Sequence, residues 1–305
     1  MKKLRVGVVG VGHIGSNHAR LYSELASAAD FTAIYDVDPA RANSIARKYG
    51  GKPAKSLDEF AGLVDAASVA TPTESHYEVA AALLNRGKHL LVEKPITENP
   101  EQATELAELA ARNGLILQVG HVERFNPVLS VLEARLSHPR FIEAHRLSPY
   151  PNRSTDIGVV LDLMIHELEI ILHLVRSPVQ TIDAVGIPVL SKGEDIANAR
   201  IRFENGCVAN VTSSRISPER MRKIRVFQED AYLSLDYEKQ SGEIYRREGG
   251  KITRQKVPIE REEPLKQQLV SFLECAGTGR TPKVSGIQAT AALELAVKIT
   301  RQIQL

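Results

Sequence analysis

The sequence predicts an α/β fold followed by an α+β part, with a parallel sheet in the first and a mainly antiparallel sheet in the second. Three observations carry this. Over the first 120 residues, short β-branched runs alternate with helical stretches of about 10–15 residues, the pattern of βαβ units. From about Thr181 to Val257 the signals are strands and turns. Within that span Glu204-Asn205-Gly206 and Gly249-Gly250 each separate two strand-like runs, and both are hairpin signatures.

Taken in order, Leu4–Val9 is a β-branched strand and helical spacing runs from Ile14 to about Ala28. Phe31–Tyr35 is a second strand. Pro39–Tyr49 is a helix with Gly50 as its stop. A short helix over Leu57–Leu63 precedes a third strand at Ala66–Ala70. Glu74–Arg86 is a helix ended by Gly87, and His89–Val92 a strand. Glu101–Asn113 is a helix ended by Gly114, and Leu115–Val119 the next strand. Beyond it, Asn126–Leu136, Val160–Val175, Pro264–Ala276 and Ile287–Ile303 read as helices. A domain over 1–120 and a second over 121–305 follow from this change of pattern.

The bulk numbers narrow the function. With 305 residues the chain can hold two domains. A net charge of +2 provides no global field for nucleic acid or a membrane surface. The basic stretch Arg246, Arg247, Lys251, Arg254, Lys256 sits on an expected hairpin without aromatics at stacking intervals, so it reads as a solvated face. Cys207 and Cys275 are too few and too far apart for a disulfide framework or a cysteine zinc site. No run approaches the roughly 20 apolar residues needed to span a bilayer. The apolar part of the start is short and rich in Gly, so it reads as a strand rather than a leader. A cytoplasmic protein is expected.

The chemistry begins at Gly10-Val-Gly12-His13-Ile14-Gly15, between the first strand and the first helix. This is the dinucleotide fingerprint in the context it needs. The first Gly makes the turn, the second admits a pyrophosphate and the third lets helix pack on strand, while the helix N-terminus offers free N–H groups. Asp36 ends the second strand, where an acid accepts hydrogen bonds from a ribose diol and repels a 2′-phosphate. NAD is therefore expected over NADP, for which Arg41 would be the contact. Ala70-Thr71-Pro72-Thr-Glu-Ser-His76 follows the third strand, where ligands bind in such sheets. Its plain alternative is a turn plus a helix-face histidine. In Leu91-Val92-Glu93-Lys94-Pro95 a lysine stands at the end of a parallel strand, and Pro95 restricts its backbone. Such a lysine can favour the anionic form of a substrate oxygen.

The stretch Asp162-Leu-Met-Ile-His-Glu-Leu-Glu-Ile-Ile-Leu-His-Leu174 places titratable groups in an apolar helix. At about 100° per residue, Asp162, His166, Glu169 and His173 share one stripe roughly 60° wide. A solvent face is the plain alternative for Glu167 and Glu169. A metal site is disfavoured, because the second His of His-Glu-x-x-His is missing and one straight helix cannot close a tetrahedron. His173 reads as structural.

The fingerprint, Ala70-Thr-Pro-Thr-Glu-Ser-His76, Glu93-Lys94-Pro95 and Asp162-x-x-x-His166 together resemble, in order and spacing, the Gfo/Idh/MocA family of glucose–fructose oxidoreductases and inositol dehydrogenases. The resemblance covers the whole chain. It implies a Rossmann domain and a C-terminal α+β domain with an open sheet that closes over the substrate. It also implies catalysis by Lys94, Asp162 and His166, and a cis Lys94–Pro95 bond. Cofactor contacts are expected from Gly10, Gly12, His13, Ile14, Gly15, Asp36, Thr71, Pro72, His76, Glu93 and Lys94. Relatives pair their open sheets, which implies a homodimer or homotetramer, here through a flat face at Ala209–Ser213.

Gly120-His-Val-Glu-Arg-Phe-Asn-Pro127 links the domains, and Arg124, Asn126 and Arg153 are the expected substrate contacts. Arg grips a diphosphate in bidentate fashion. The alternatives are a domain-linking salt bridge for Arg124 and a surface loop for Arg153. This run, with Val-Val-Leu-Asp-Leu-Met-Ile-His, most resembles the subgroup that oxidises nucleotide sugars. It implies oxidation of C3 of UDP-N-acetylglucosamine, with the product then aminated for lipid A. Only Gly158 stands where many relatives have a Gly-rich stretch. A dehydrogenase of a free polyol such as inositol, and a cofactor-binding sensor without turnover, remain as alternatives.

Overall fold

A computed structural model describes residues 3–150 and 157–303. The first compact unit opens with β1 (Leu4–Val9), α1 (His13–Glu24), β2 (Ala29–Tyr35) and α2 (Pro39–Tyr49). Then come β3 (Lys52–Pro53), α3 (Leu57–Leu63), β4 (Ala66–Val69) and α4 (His76–Leu84). β5 (His89–Glu93), α5 (Pro100–Arg112) and β6 (Leu117–Gly120) complete the alternation. The six strands lie parallel in the order β3-β2-β1-β4-β5-β6. The order reverses between β1 and β4, so the loops leaving these two strands open at the switch point.

Local chemistry explains the helix starts. The Asp38 side chain accepts from the N–H groups of Ala40 and Arg41, Ser56 from Glu59, and Asn99 from Gln102. Gly50 lies at φ +87°, which a side chain would strain, and it ends α2 where expected.

The second unit contains α6 (Pro127–Glu133), β7 (Phe141–Leu147) and a polar helix whose second part is α7 (Ile165–Val175). Seven strands follow: β8 (Val179–Ile187), β9 (Ile196–Phe203), β10 (Val208–Ser214), β11 (Met221–Phe227), β12 (Ala231–Asp236), β13 (Ser241–Glu248) and β14 (Lys251–Val257). They and β7 form an open sheet in the order β14-β13-β12-β11-β7-β10-β9-β8. Only the β7–β10 pair is parallel. Both expected hairpins form, as β9–β10 and β13–β14. One face buries Ile142, Ala144, Ala199, Ile201, Ala209, Val211, Ile224 and Leu233.

The other face differs from expectation. Ala209, Val211 and Ser213 are buried, and the residues opposite them are Asn210 and Thr212. This face also carries an aromatic row across four strands, Phe141, Phe227, Tyr232 and Tyr245, with centroids 5.6, 4.5 and 5.0 Å apart. It also carries an ion pair between Arg225 and Glu143.

The chain finishes with α8 (Pro264–Thr278) and α9 (Gly286–Ile303). The units do not divide simply at residue 120. Unit one is Met1–Val122 with Glu263–Ala291, and unit two is Glu123–Glu262 with Ala292–Leu305. The reason is apolar: Leu269, Phe272, Leu273 and Cys275 of α8 join Val6, Val8, Leu21 and Tyr22 in one core. Among the described residues no helix is long and apolar enough to cross a membrane.

The helix expected over Val160–Val175 has two parts. Val160–Met164 is a π turn, and α7 follows it. The i→i+5 bonding widens the turn, so the 3.6-residue period does not set the spacing of Asp162 and His166. A left-handed Arg176 ends α7.

Candidate active site

Each fingerprint glycine has its own steric reason. Gly10 lies at φ +80°, and a Cβ there would stand 2.7 Å from the Thr71 nitrogen. A Cβ on Gly15 would stand 1.8 Å from the Gly10 carbonyl oxygen, so helix and loop touch main chain to main chain. At Gly12 a Cβ would meet nothing within 4 Å, so the approach to this main chain is open. His13 and Ile14 are exposed on the first turn of α1. An open main chain at a helix start suits a pyrophosphate, so the loop fits the expected cofactor.

Asp36 anchors that loop. Its Oδ2 accepts from the Val11 N–H at 2.8 Å and its Oδ1 from the Asp38 N–H at 2.9 Å. Each carboxylate oxygen retains a further lone pair for a ribose hydroxyl. Arg41 Nη1 is 3.7 Å from Asp36 Oδ2 and its side chain is half exposed.

The loops leaving β4 and β5 bring Thr71 and Lys94 to the carboxyl side of the sheet. The Lys94–Pro95 bond is cis. Pro72 is exposed and Lys94 half-buried. His76 is 1% exposed, and its ring lies between two main-chain carbonyls. Nδ1 is 2.9 Å from Pro95 O and Nε2 is 2.8 Å from Thr71 O. Burial pushes its pKa down from the usual value, while the carbonyls and Glu93 oppose that. Glu93 also turns inward: its Oε1 is 3.2 Å from Nε2 of the fully buried His18. Its carboxylate covers Gly120, where a Cβ would come within 2.6 Å of it.

In the second unit, Asp162 is half-buried in the π turn and His166 is buried on α7. The start of this helix is held from the β8–β9 connection and from the end of β10. Glu194 Oε1 accepts from the Val160 N–H at 3.2 Å, and Arg215 Nη1 donates to Ile157 O at 2.7 Å. Arg215 Nε in turn donates to Asp195 Oδ1 at 2.8 Å, both side chains being fully buried. A Cβ on Gly158 would stand 2.0 Å from Glu194 Oε1, so this single glycine lets the carboxylate reach the helix.

Glu167 and Glu169 are not a solvent face. Glu167 accepts from Arg146 Nε at 2.8 Å, and Glu169 from Arg124 Nη1 at 2.6 Å, all deeply buried. Arg146 also reaches Glu123 at 3.0 Å. Burial pushes the Glu169 carboxyl up to about 7 despite Arg124. His173 pairs with Glu133 at 2.8 Å.

Two residues expected as substrate contacts have structural partners. Arg124 makes a buried salt bridge with Glu169 within the second unit, its side chain 2% exposed. Asn126 caps α6 by accepting from Val128, and its amide donates to Glu123 and to Tyr237 O. Arg153 lies outside the described residues. His18, Glu194, Arg215 and Arg146 were missed. Their partners are 20 or more residues away in sequence, and no local spacing announces them.

Family models match both halves of the chain. Residues 4–121 match the oxidoreductase family with the NAD-binding Rossmann fold, and residues 130–234 match the GFO/IDH/MocA C-terminal domain. UDP-N-acetylglucosamine 3-dehydrogenase of Acidithiobacillus ferrooxidans is 33% identical, over 98% of this chain and 97% of its own. A solved structure of that enzyme superposes with a TM-score of 0.94 at 32% identity, covering 99% of this chain and 98% of its own. The scyllo-inositol 2-dehydrogenase (NAD(+)) of Bacillus subtilis is 25% identical over 99% of this chain and 94% of its own. The open glycine loop, the cis Lys94–Pro95 bond and matches running through both units lead to one conclusion: the chain belongs to the GFO/IDH/MocA family of NAD-binding oxidoreductases.

Proposed function

We propose that this chain is an NAD-dependent dehydrogenase that oxidises the C3 hydroxyl of UDP-N-acetylglucosamine to a ketone. The observation that carries the reading is the end-to-end match, at 33% identity, to an enzyme of that name. The side chains have the right chemistry for it. Bound NAD supplies the hydride acceptor. His166 takes the hydroxyl proton, a role that an imidazole performs near neutral pH. The Lys94 ammonium donates to the same oxygen and favours its anionic form. Asp162 accepts from a neighbouring hydroxyl or orients His166. Gly10, Gly12 and Gly15 receive the pyrophosphate, and Asp36 receives the ribose. The 3-keto sugar so formed suits amination by a following enzyme.

The second reading is oxidation of a free polyol, favoured by the inositol dehydrogenase match across 99% of the chain. A sensor without turnover would need no base or ammonium at Lys94, Asp162 and His166. We further assign the open face of the second sheet, with its aromatic row, as the surface that joins two copies into a dimer or tetramer. Light scattering on the eluting protein tests this, and a monomer refutes it.

The functional test mixes the protein, NAD and UDP-N-acetylglucosamine with an aminotransferase and glutamate that remove the ketone. NADH absorbance rises if the reading is right. No rise with UDP-N-acetylglucosamine, but a rise with inositol, selects the second reading. In the active system, Lys94→Ala and His166→Ala abolish turnover and keep NAD binding. Turnover retained by either variant removes that residue's role.

A further inference from the structure

We propose that His18 and His76 are positioning residues that hold Lys94 from both sides. The inference rests on the reading that Lys94 acts on the substrate. Its geometry lies wholly within the first unit. Lys94 stands between Glu93 and Pro95, and a buried histidine engages each neighbour. His18, from α1, stands 3.2 Å from the Glu93 carboxylate, an ion-pair distance without hydrogen-bond geometry. His76, from α4, meets the Pro95 carbonyl at 2.9 Å. Neither ring is open to solvent, so neither contact is exchanged freely for water.

The two arms also couple Lys94 to the cofactor loops. His18 lies one turn along the helix that begins at the fingerprint, three residues beyond Gly15. The second ring nitrogen of His76 meets Thr71 O at 2.8 Å, and the Thr71 nitrogen lies against Gly10. A shift of the glycine loop therefore reaches Lys94 through two buried rings. Gly120 completes the device. It leaves space for Glu93 to lie flat across β6, where any side chain would push the carboxylate away from His18. At His76 one ring N–H donates to Pro95 O or to Thr71 O, and only the imidazolium donates to both, since the neutral ring carries one donor.

The test uses the full chain with NAD and two single variants, His76→Leu and His18→Leu. Crystal structures of the NAD complexes read the position of Lys94 directly. We expect Lys94 Nζ to move by about 1 Å or more, enough to lower kcat about 100-fold. KM for NAD stays within about twofold, because the fingerprint contacts remain. His76→Gln keeps a donor towards Pro95 and restores much of kcat, which a space-filling role alone does not explain. If a leucine variant does not fold, His76→Met and His18→Met, which also lack a donor, give the same readouts. Lys94 unmoved in the variants, or kcat unchanged, overturns the proposal. Lys94 displaced in a protein that turns over no UDP-sugar or polyol leaves the brace standing and removes the function proposed above.

Discussion

The fingerprint loop and the polar helix of the second unit hold their groups by opposite means. The loop relies on main chain. Gly10 and Gly15 bring backbone into contact with backbone, and Asp36 ties down two N–H groups. Its working surface, at Gly12 to Ile14, is open. The helix relies on buried charge. Arg146, Glu123 and Glu167 form one cluster behind it, Arg124 and Glu169 a second pair, and Asp195 with Arg215 steadies its first turn. A loop that binds through backbone needs residues without side chains. A helix that displays side chains needs other side chains behind it. The first requirement leaves a motif in the sequence, and the second leaves scattered arginines and glutamates.

The comparison breaks hardest at the buried charges. Arg146→Met strands Glu167 and leaves Glu123 with only Arg222 and Asn126, and it is expected to cost about 3–5 kcal/mol in urea unfolding. A loss under about 1 kcal/mol would mean that those carboxyls take up protons at little cost. Gly10→Ala places a side chain at φ +80° against the Thr71 nitrogen, with a backbone cost of about 1–2 kcal/mol. Its larger effect is on the cofactor: calorimetric titration should show NAD affinity falling at least about tenfold. Unchanged affinity would mean that the loop relaxes without losing its function.

A smaller effect sharpens the roles of two neighbouring acids. Asp38→Ala removes the cap of α2 and should lower stability by about 1 kcal/mol, leaving NAD affinity intact. A loss of NAD affinity in this variant would transfer the ribose role from Asp36. The last effect is a slope. The folded pKa of Glu169 is raised from 4.5 to about 7, so the folded chain binds a proton more tightly than the unfolded chain does. That stability is fully present below about 4.5 and is lost as pH rises through about 7. Glu169→Gln should flatten the decline of unfolding free energy across this window. An unaltered profile would mean that Arg124 keeps Glu169 ionised.

Much of the first unit was legible along the chain. Its strands pair parallel with helices between, so each element carries its own apolar period and its own cap, as Asp38, Ser56 and Asn99 do. Lys94, Asp162 and His166, the groups proposed to act, are marked in the sequence because their motif neighbours stand close along the chain. Glu167 and Glu169 were ambiguous, since a glutamate on a helix looks alike whether water or arginine faces it. Arg124 was ambiguous for the same reason: a guanidinium suits a diphosphate and a carboxylate equally well, and Glu169 lies 45 residues away. Which face of β10 is open was not legible, because strand alternation names two faces without saying which one is covered.

The division of labour follows from range. Backbone conformations, caps, periodicities and glycine-dependent turns arise from contacts within a few residues, and the chain spells them out. The strand order, the α8 core contact and the π turn arise from packing between distant segments. So do the partners of every buried charge. Burial makes those partners obligatory, because an ion removed from water must find its counterpart in protein. Which counterpart it finds is set by the fold that brings the two together.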